Sequence, residues 1–217
     1  MKVLRNMTAL IDTINPVVSQ EAILVPGELQ TKDWRKSQPW YIDGRHNECE
    51  LLQRSQVKII LKCECEKTNM RFNLKTFNLQ KIRCPLKRPD GFEWTEDFDG
   101  LCIVGYIKFY FNFKFICDAG GAQTRSLREV YDFVEGQLEF FDNLQSEETH
   151  DKENIYFINI LDGNTPTKHQ DKFKYLIETD KYKSIKNNIF VGDMYTFKQW
   201  YTFKRLYTFR HKLIMRN

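Results

Sequence analysis

The chain has 217 residues and a mass of 26.1 kDa, enough for one large domain or for a domain with an N-terminal extension. It is 41% hydrophobic and 14% aromatic, with 17 Phe and 10 Tyr, a load that fills a substantial core and excludes a disordered or low-complexity chain. Charged residues make up 29%, mean hydropathy is −0.56, and no apolar run approaches the ~20 residues of a spanning helix, so a membrane protein is not expected. The start, Met1-Lys2-Val3-Leu4-Arg5-Asn6, lacks the apolar run and cleavage site of a secretory signal, and the expected location is intracellular and cytoplasmic.

Residues 1 to about 45 read as irregular, broken by Pro16, Pro26-Gly27 and Pro39, with a short helical lead-in at Met7 to Ile14. Val57 to Cys65 predicts a strand, and Met70 to Leu79 a second strand or its hairpin partner. Pro85, Pro89 and Asp90-Gly91 mark turns. Leu101 to Tyr106 and Lys108 to Cys117 are apolar, aromatic and β-branched runs that predict adjacent antiparallel strands, and Gly120-Gly121 permits the reversal after them. From Thr124, read as an N-cap, Leu127, Val130, Tyr131, Val134, Leu138 and Phe141 recur at helical spacing to about Leu144. After a polar loop at Ser146 to Glu153, Ile155 to Leu161 predicts a strand buried on both faces. Lys168 to Tyr182 predicts a helix, and Asn188 to Gly192 a last short strand. The order β-β-α-β-α-β defines an α/β or α+β fold with a central mixed sheet flanked by helices. Residues 1–85 read as an N-terminal extension or subdomain, or as part of the same fold. Residues 86–217 read as the core, with a basic aromatic C-terminal segment.

Basic residues number 33 and acidic residues 29, a net +4 with a pI near 8.6, too mild to define a partner. Their distribution is more informative. Lys198, Lys204, Arg205, Arg210, Lys212 and Arg216 form a basic end without an acid among them, whereas Glu93 to Asp99 is an acidic knot. Both suit a metal-using enzyme that holds a polyanion, and both suit ordinary surfaces. The six cysteines include Cys63-Glu64-Cys65, a C-x-C pair and not the C-x-x-C of zinc ribbons, so reduced, mostly buried thiols are expected. The four histidines lack ligand spacing.

One group of residues can carry chemistry. Asn112 and Lys114 are two apart on a predicted strand and share a face, and the hairpin brings Asp99 beside them. An acid, a pair ending in Lys and a helix after a Gly turn suit metal-dependent phosphodiester hydrolysis. The acid holds a divalent cation, and the lysine orients water and offsets charge on the pentavalent phosphate. Asp97 and Asp90 are the other candidates for the acid, with Glu96 as an accessory ligand; Asp99 is preferred because Gly100 lets a partner approach closely. At the helix start, Gln123, Thr124 and Arg125 present backbone N–H groups and a positive dipole end to phosphate. Arg125 and Arg128 suit DNA backbone or guanine contacts, although Arg128 equally suits an exposed face paired with Glu129 and Asp132. Lys204 and Arg205 belong to an aromatic and basic stretch, Tyr195 to His211, that suits either phosphate tracking or an amphipathic helix packed on the core.

Asp99, Asn112-x-Lys114 and the β-β-α-β order resemble the PD-(D/E)XK nuclease superfamily, and within it the type II restriction endonucleases. The segments Gly120-Gly121-Ala122-Gln123-Thr124-Arg125-Ser126-Leu127-Arg128-Glu129-Val130-Tyr131 and Tyr156 to Gly163 are similar to restriction-enzyme sequences. The resemblance covers about residues 90 to 200 and implies a Mg²⁺-dependent endonuclease that cuts double-stranded DNA at a specific sequence, working as a homodimer. Asn112 departs from the family's usual Asp or Glu and is a poorer metal ligand. Two readings follow. Either the second carboxylate has migrated to Glu129 on the following helix, so that Asp99 and Glu129 hold the metal, or the chain binds DNA without cutting it. A repair or recombination nuclease is a further alternative. Abundant Lys, Asn, Ile, Phe and Tyr suggest an AT-rich genome, bacterial or viral.

Overall fold

In the computed structural model the described residues are 24–45, 49–81, 93–118, 120–145, 154–183 and 185–205. The expected helix at Met7 to Ile14, the Pro85 to Gly91 turns, most of the loop after Leu144 and the chain beyond Arg205 lie outside them. Two short helices, α1 (Lys32–Ser37) and α2 (Pro39–Ile42), precede α3 (Cys49–Leu61). A small hairpin follows, β1 (Met70–Phe72) and β2 (Leu79–Lys81). The second half runs β3 (Gly100–Val104), β4 (Ile107–Phe115), α4 (Gly121–Gln145), β5 (Ile155–Asp162), α5 (Asn164–Lys168), α6 (Gln170–Ile177), β6 (Ile189–Gly192) and α7 (Met194–Lys204).

The main sheet is mixed, with strand order β3-β4-β5-β6. β3 and β4 form the expected antiparallel hairpin, with Gly100 opposite Phe111 and Val104 opposite Ile107. β4 pairs parallel with β5, and β5 with β6, through helical crossovers. Alternation along the central strands supplies two cores. Phe109, Phe111 and Phe113 of β4, with Ile158 and Ile160 of β5, pack against Val57 and Leu61 of α3 and against Met194, Phe197 and Tyr201 of α7. Tyr110, Phe157 and Leu161 on the opposite face pack against Leu127 to Phe141 of α4 and against Phe173 and Leu176 of α6. The molecule is therefore a mixed α/β fold of three layers, helices on both faces of one sheet.

The strand expected at Val57 to Cys65 is instead the C-terminal half of α3 followed by an extended segment. Its buried stripe, Cys49, Gln53, Gln56, Val57 and Leu61, has helical spacing, and two glutamines in it hid the period. Lys62, in the left-handed region at φ 56°, ends the helix and turns the chain toward Cys63. Thr124 is also not an N-cap: α4 begins at Gly121, and the Thr124 hydroxyl donates back to the Gly120 carbonyl at 3.1 Å. The single helix expected at Lys168 to Tyr182 is broken: α5 ends at Lys168, α6 covers Gln170–Ile177, and a 3₁₀ turn closes the stretch at Asp180–Tyr182.

The acidic knot is an ordered segment laid beside β1. Thr95 N–H donates to the Phe72 carbonyl at 3.0 Å and Phe98 N–H to the Met70 carbonyl at 2.9 Å. Phe98 itself is buried between Phe72, Phe133 and Phe157. This anchoring delivers Asp99 to the head of β3 in a fixed place.

Candidate active site

Because β3 and β4 are antiparallel, the head of β3 and the foot of β4 lie at one end of the sheet. Continuing the register one step beyond Gly100 and Phe111 sets Asp99 opposite Asn112. The Asp99 carboxylate accepts the Phe113 backbone N–H at 2.6 Å, so it is tied to the residue just before Lys114. Its Oδ1 accepts no hydrogen bond among the described residues. Burial pushes the Asp99 carboxyl up to about 6, against the Phe113 hydrogen bond, with Glu50 raising it further, Lys114 lowering it and Glu96 raising it.

Lys114 Nζ pairs with Glu96 Oε2 at 2.8 Å. Burial alone would lower the Lys114 pKa, but the Glu96 hydrogen bond and the carboxylates of Glu96, Asp99 and Glu129 outweigh it, and the amine stays firmly protonated. Glu96 is held below the ordinary glutamate value by its bond to Lys114. The Glu96 side chain is 82% exposed, so this pair contributes on the order of 1 kcal/mol or less and yields readily to an incoming anion. Asp97, the other candidate acid, is engaged with Arg71 through both guanidinium Nε and Nη2. Asp90 lies outside the described residues.

Asn112 is buried, at 4% exposure. Its amide donates to Asn159 Oδ1 at 3.3 Å, and Asn159 exchanges two further bonds with Gln137 of α4, at 3.0 and 2.8 Å. Its side chain is thus occupied within a polar ladder that ties β4 to β5 and α4. Glu129 is exposed on the third turn of α4 and reaches Lys114 through its charge. Thr124, Arg125 and Arg128 are exposed along the same early turns, whereas Gln123 is half-buried, its side chain folded back over Gly120. These residues follow β4 directly and so share the end of the sheet with Lys114. Lys204 and Arg205 do not. Tyr201, just before them, packs on Phe109, five residues up β4 from Lys114, a distance of about 16 Å at strand rise.

Sequence reading missed three α3 residues at this end. Arg54 donates to the Asp99 carbonyl at 2.6 Å and pairs with Glu50 one turn before it. Gln53 Nε2 bridges the Lys114 carbonyl at 3.1 Å and Asp162 Oδ2 at 2.8 Å. No motif carries such residues; only the fold brings them here. Asp162, wholly buried, also accepts from Gln30 Nε2 at 3.2 Å and from Met194 N–H at 3.1 Å. Burial nevertheless drives its carboxyl up to about 6.

Among the described residues no group of three or more His, Cys, Asp and Glu side chains is arranged to hold a metal ion. Mg²⁺ asks for less than that, one or two carboxylates with water and substrate phosphate completing the octahedron. Asp99 has one carboxylate oxygen without a hydrogen bond among the described residues, and Glu129 acts on Lys114 through its charge. Comparison with protein-family models, curated proteins and solved structures finds no match. No described helix is long and apolar enough to cross a membrane.

Proposed function

We propose that the chain is a Mg²⁺-dependent endonuclease of the restriction-endonuclease type, hydrolysing phosphodiester bonds of double-stranded DNA at a specific sequence as a homodimer. The observation that carries the reading is the acid and lysine on adjacent strands, with the Asp99 carboxylate fixed by the Phe113 N–H immediately before Lys114. Mg²⁺ held by Asp99 and Glu129 would polarise the scissile phosphate and acidify a bound water. Lys114 is the group that exchanges its loose Glu96 partner for the phosphate, orienting the attacking water and offsetting charge in the transition state. The exposed Arg125 and Arg128 grip the DNA backbone beside it.

The test is incubation of the purified chain with unmethylated duplex DNA, with Mg²⁺ and with chelator. Discrete fragments that require the metal and carry 5′-phosphate ends are expected, and Lys114→Ala should slow cleavage at least about 100-fold while DNA retention persists. Equal cleavage by Lys114→Ala would remove the lysine from the mechanism.

The burial of Asn112 favours a second reading. A position that is acidic in the family serves the core here, as in a DNA-binding protein of this fold that does not cut. Intact DNA with retarded, salt-sensitive mobility would select it.

A further inference from the structure

Three cysteines gather on the α3 side of β3. Glu66 and Leu101 form an antiparallel bridge, each backbone N–H donating to the other's carbonyl, at 3.0 and 2.8 Å. One residue back along the first segment and one forward along β3, the register sets Cys65 opposite Cys102. The pair beside a hydrogen-bonded pair is a non-hydrogen-bonded one, where Cα atoms stand about 4.5 Å apart and side chains are closest. That separation lies within the ~4.4–6.8 Å that a disulfide spans. The register therefore faces the Cys65 and Cys102 thiols toward each other on one side of β3. Cys102 is fully buried and Cys65 nearly so, whereas Cys63 is half-buried. A Cβ on Gly100 would overlap Cys65 Sγ, so the Cys65 thiol lies against the residue that follows Asp99.

The geometry points to Cys65 and Cys102 as a site of oxidative modification, a dithiol that closes to a disulfide under a peroxide. The Cys65 thiolate attacks one peroxide oxygen, the O–O bond breaks, and hydroxide leaves with Cys65 as the sulfenic acid. Cys102 sulfur then attacks the Cys65 sulfur, the S–O bond breaks, and the Cys102 proton leaves with that oxygen as water. Counting the proton first released by Cys65, two thiols are oxidised by two electrons and one peroxide is reduced to two waters. Closure would fix the segment after α3 to the head of β3, and reducing thiols would reverse it.

Peptide mapping of the full chain without reductant tests this independently of any nuclease activity, because the readout is the bond. Hydrogen peroxide should remove two of the six thiols and cross-link the tryptic peptide Cys63 to Lys67 to the peptide holding Cys102, with dithiothreitol restoring both. Since that first peptide carries both Cys63 and Cys65, the Cys63→Ser chain decides between them: the cross-link persists there if Cys65 is the partner. Its loss in Cys63→Ser, or sulfinic and sulfonic acids without a cross-link in the unmodified sequence, would overturn the assignment.

Discussion

Asp162 shows how a single buried carboxylate contributes a pH dependence to folding, as Asp99 does over the same pH range. Three N–H donors, from Met194, Gln53 and Gln30, favour its charged form, yet full burial outweighs them and its carboxyl titrates at about 6. In the unfolded chain it returns to the ordinary aspartate range near 3.9. The folded state therefore binds this proton more tightly, and its contribution to stability is full below about 4, declines as pH rises to about 6, and is flat above that. The span corresponds to roughly 3 kcal/mol. Urea midpoints measured for the unmodified chain and for Asp162→Asn should diverge in slope between about pH 4 and 6, the variant keeping only the shallower decline that Asp99, also raised to about 6, supplies. Parallel slopes would show that Asp162 titrates normally.

At the scale of elements, β4 serves two faces, and Asn112 belongs to the one that meets α4. Asn112→Asp would set a carboxylate oxygen against Asn159 Oδ1, which already accepts from Gln137, at a cost of about 1–3 kcal/mol. A denaturant titration should show that loss; a gain in cleavage with unchanged stability would instead make Asn112 a residue of the reaction. The hairpin of β3 and β4, the helix α4 and the buried strands β5 and β6 were legible because alternation, helical spacing and Gly turns all agree there. α3 was not. Val57, Ile59 and Ile60 bring β-branched residues to its C-terminal half, and the glutamines at 53 and 56 interrupt the apolar stripe although the fold buries both, Gln53 through hydrogen bonds to the Lys114 carbonyl and Asp162. Asp99 and Lys114 could be picked out by residue type and spacing. Glu50, Gln53 and Arg54 could not, because their place depends on where α3 docks. Gln123, Thr124, Arg125 and Arg128 come soon after Lys114 in the chain and start α4 at its end of the sheet, whereas Lys204 and Arg205 lie away from it because α7 runs back along the sheet.

Across the whole molecule, the segment before α1 fastens the end of the sheet where the candidate site lies. Gly27 N–H donates to Asp193 at 2.5 Å, Gln30 Oε1 accepts the Gly163 N–H at 2.7 Å, and the Gln30 carbonyl accepts from Asn164 N–H at 3.0 Å. Gly163 has φ 100°, and a Cβ there would collide with the Ile116 carbonyl, so the turn after β5 tolerates only glycine. Gln30→Ala should cost about 2–4 kcal/mol by stranding the Gly163 N–H and removing a donor from Asp162, read as a lower urea midpoint; a change below about 0.5 kcal/mol would mean water replaces it. The parallel pairing of β4 with β5 has a different consequence. Lys108 pairs with Ile155, and all of α4 lies between them in the chain. During synthesis at about 5–20 residues per second, the aromatic run Phe109 to Phe115 emerges seconds before the strand that covers its open edge exists. For that interval β3 can shield one side only, so the nascent chain presents a bare, apolar β-edge, and the yield of native protein should depend on how quickly α4 and β5 leave the ribosome or on a chaperone that holds β4 until they do.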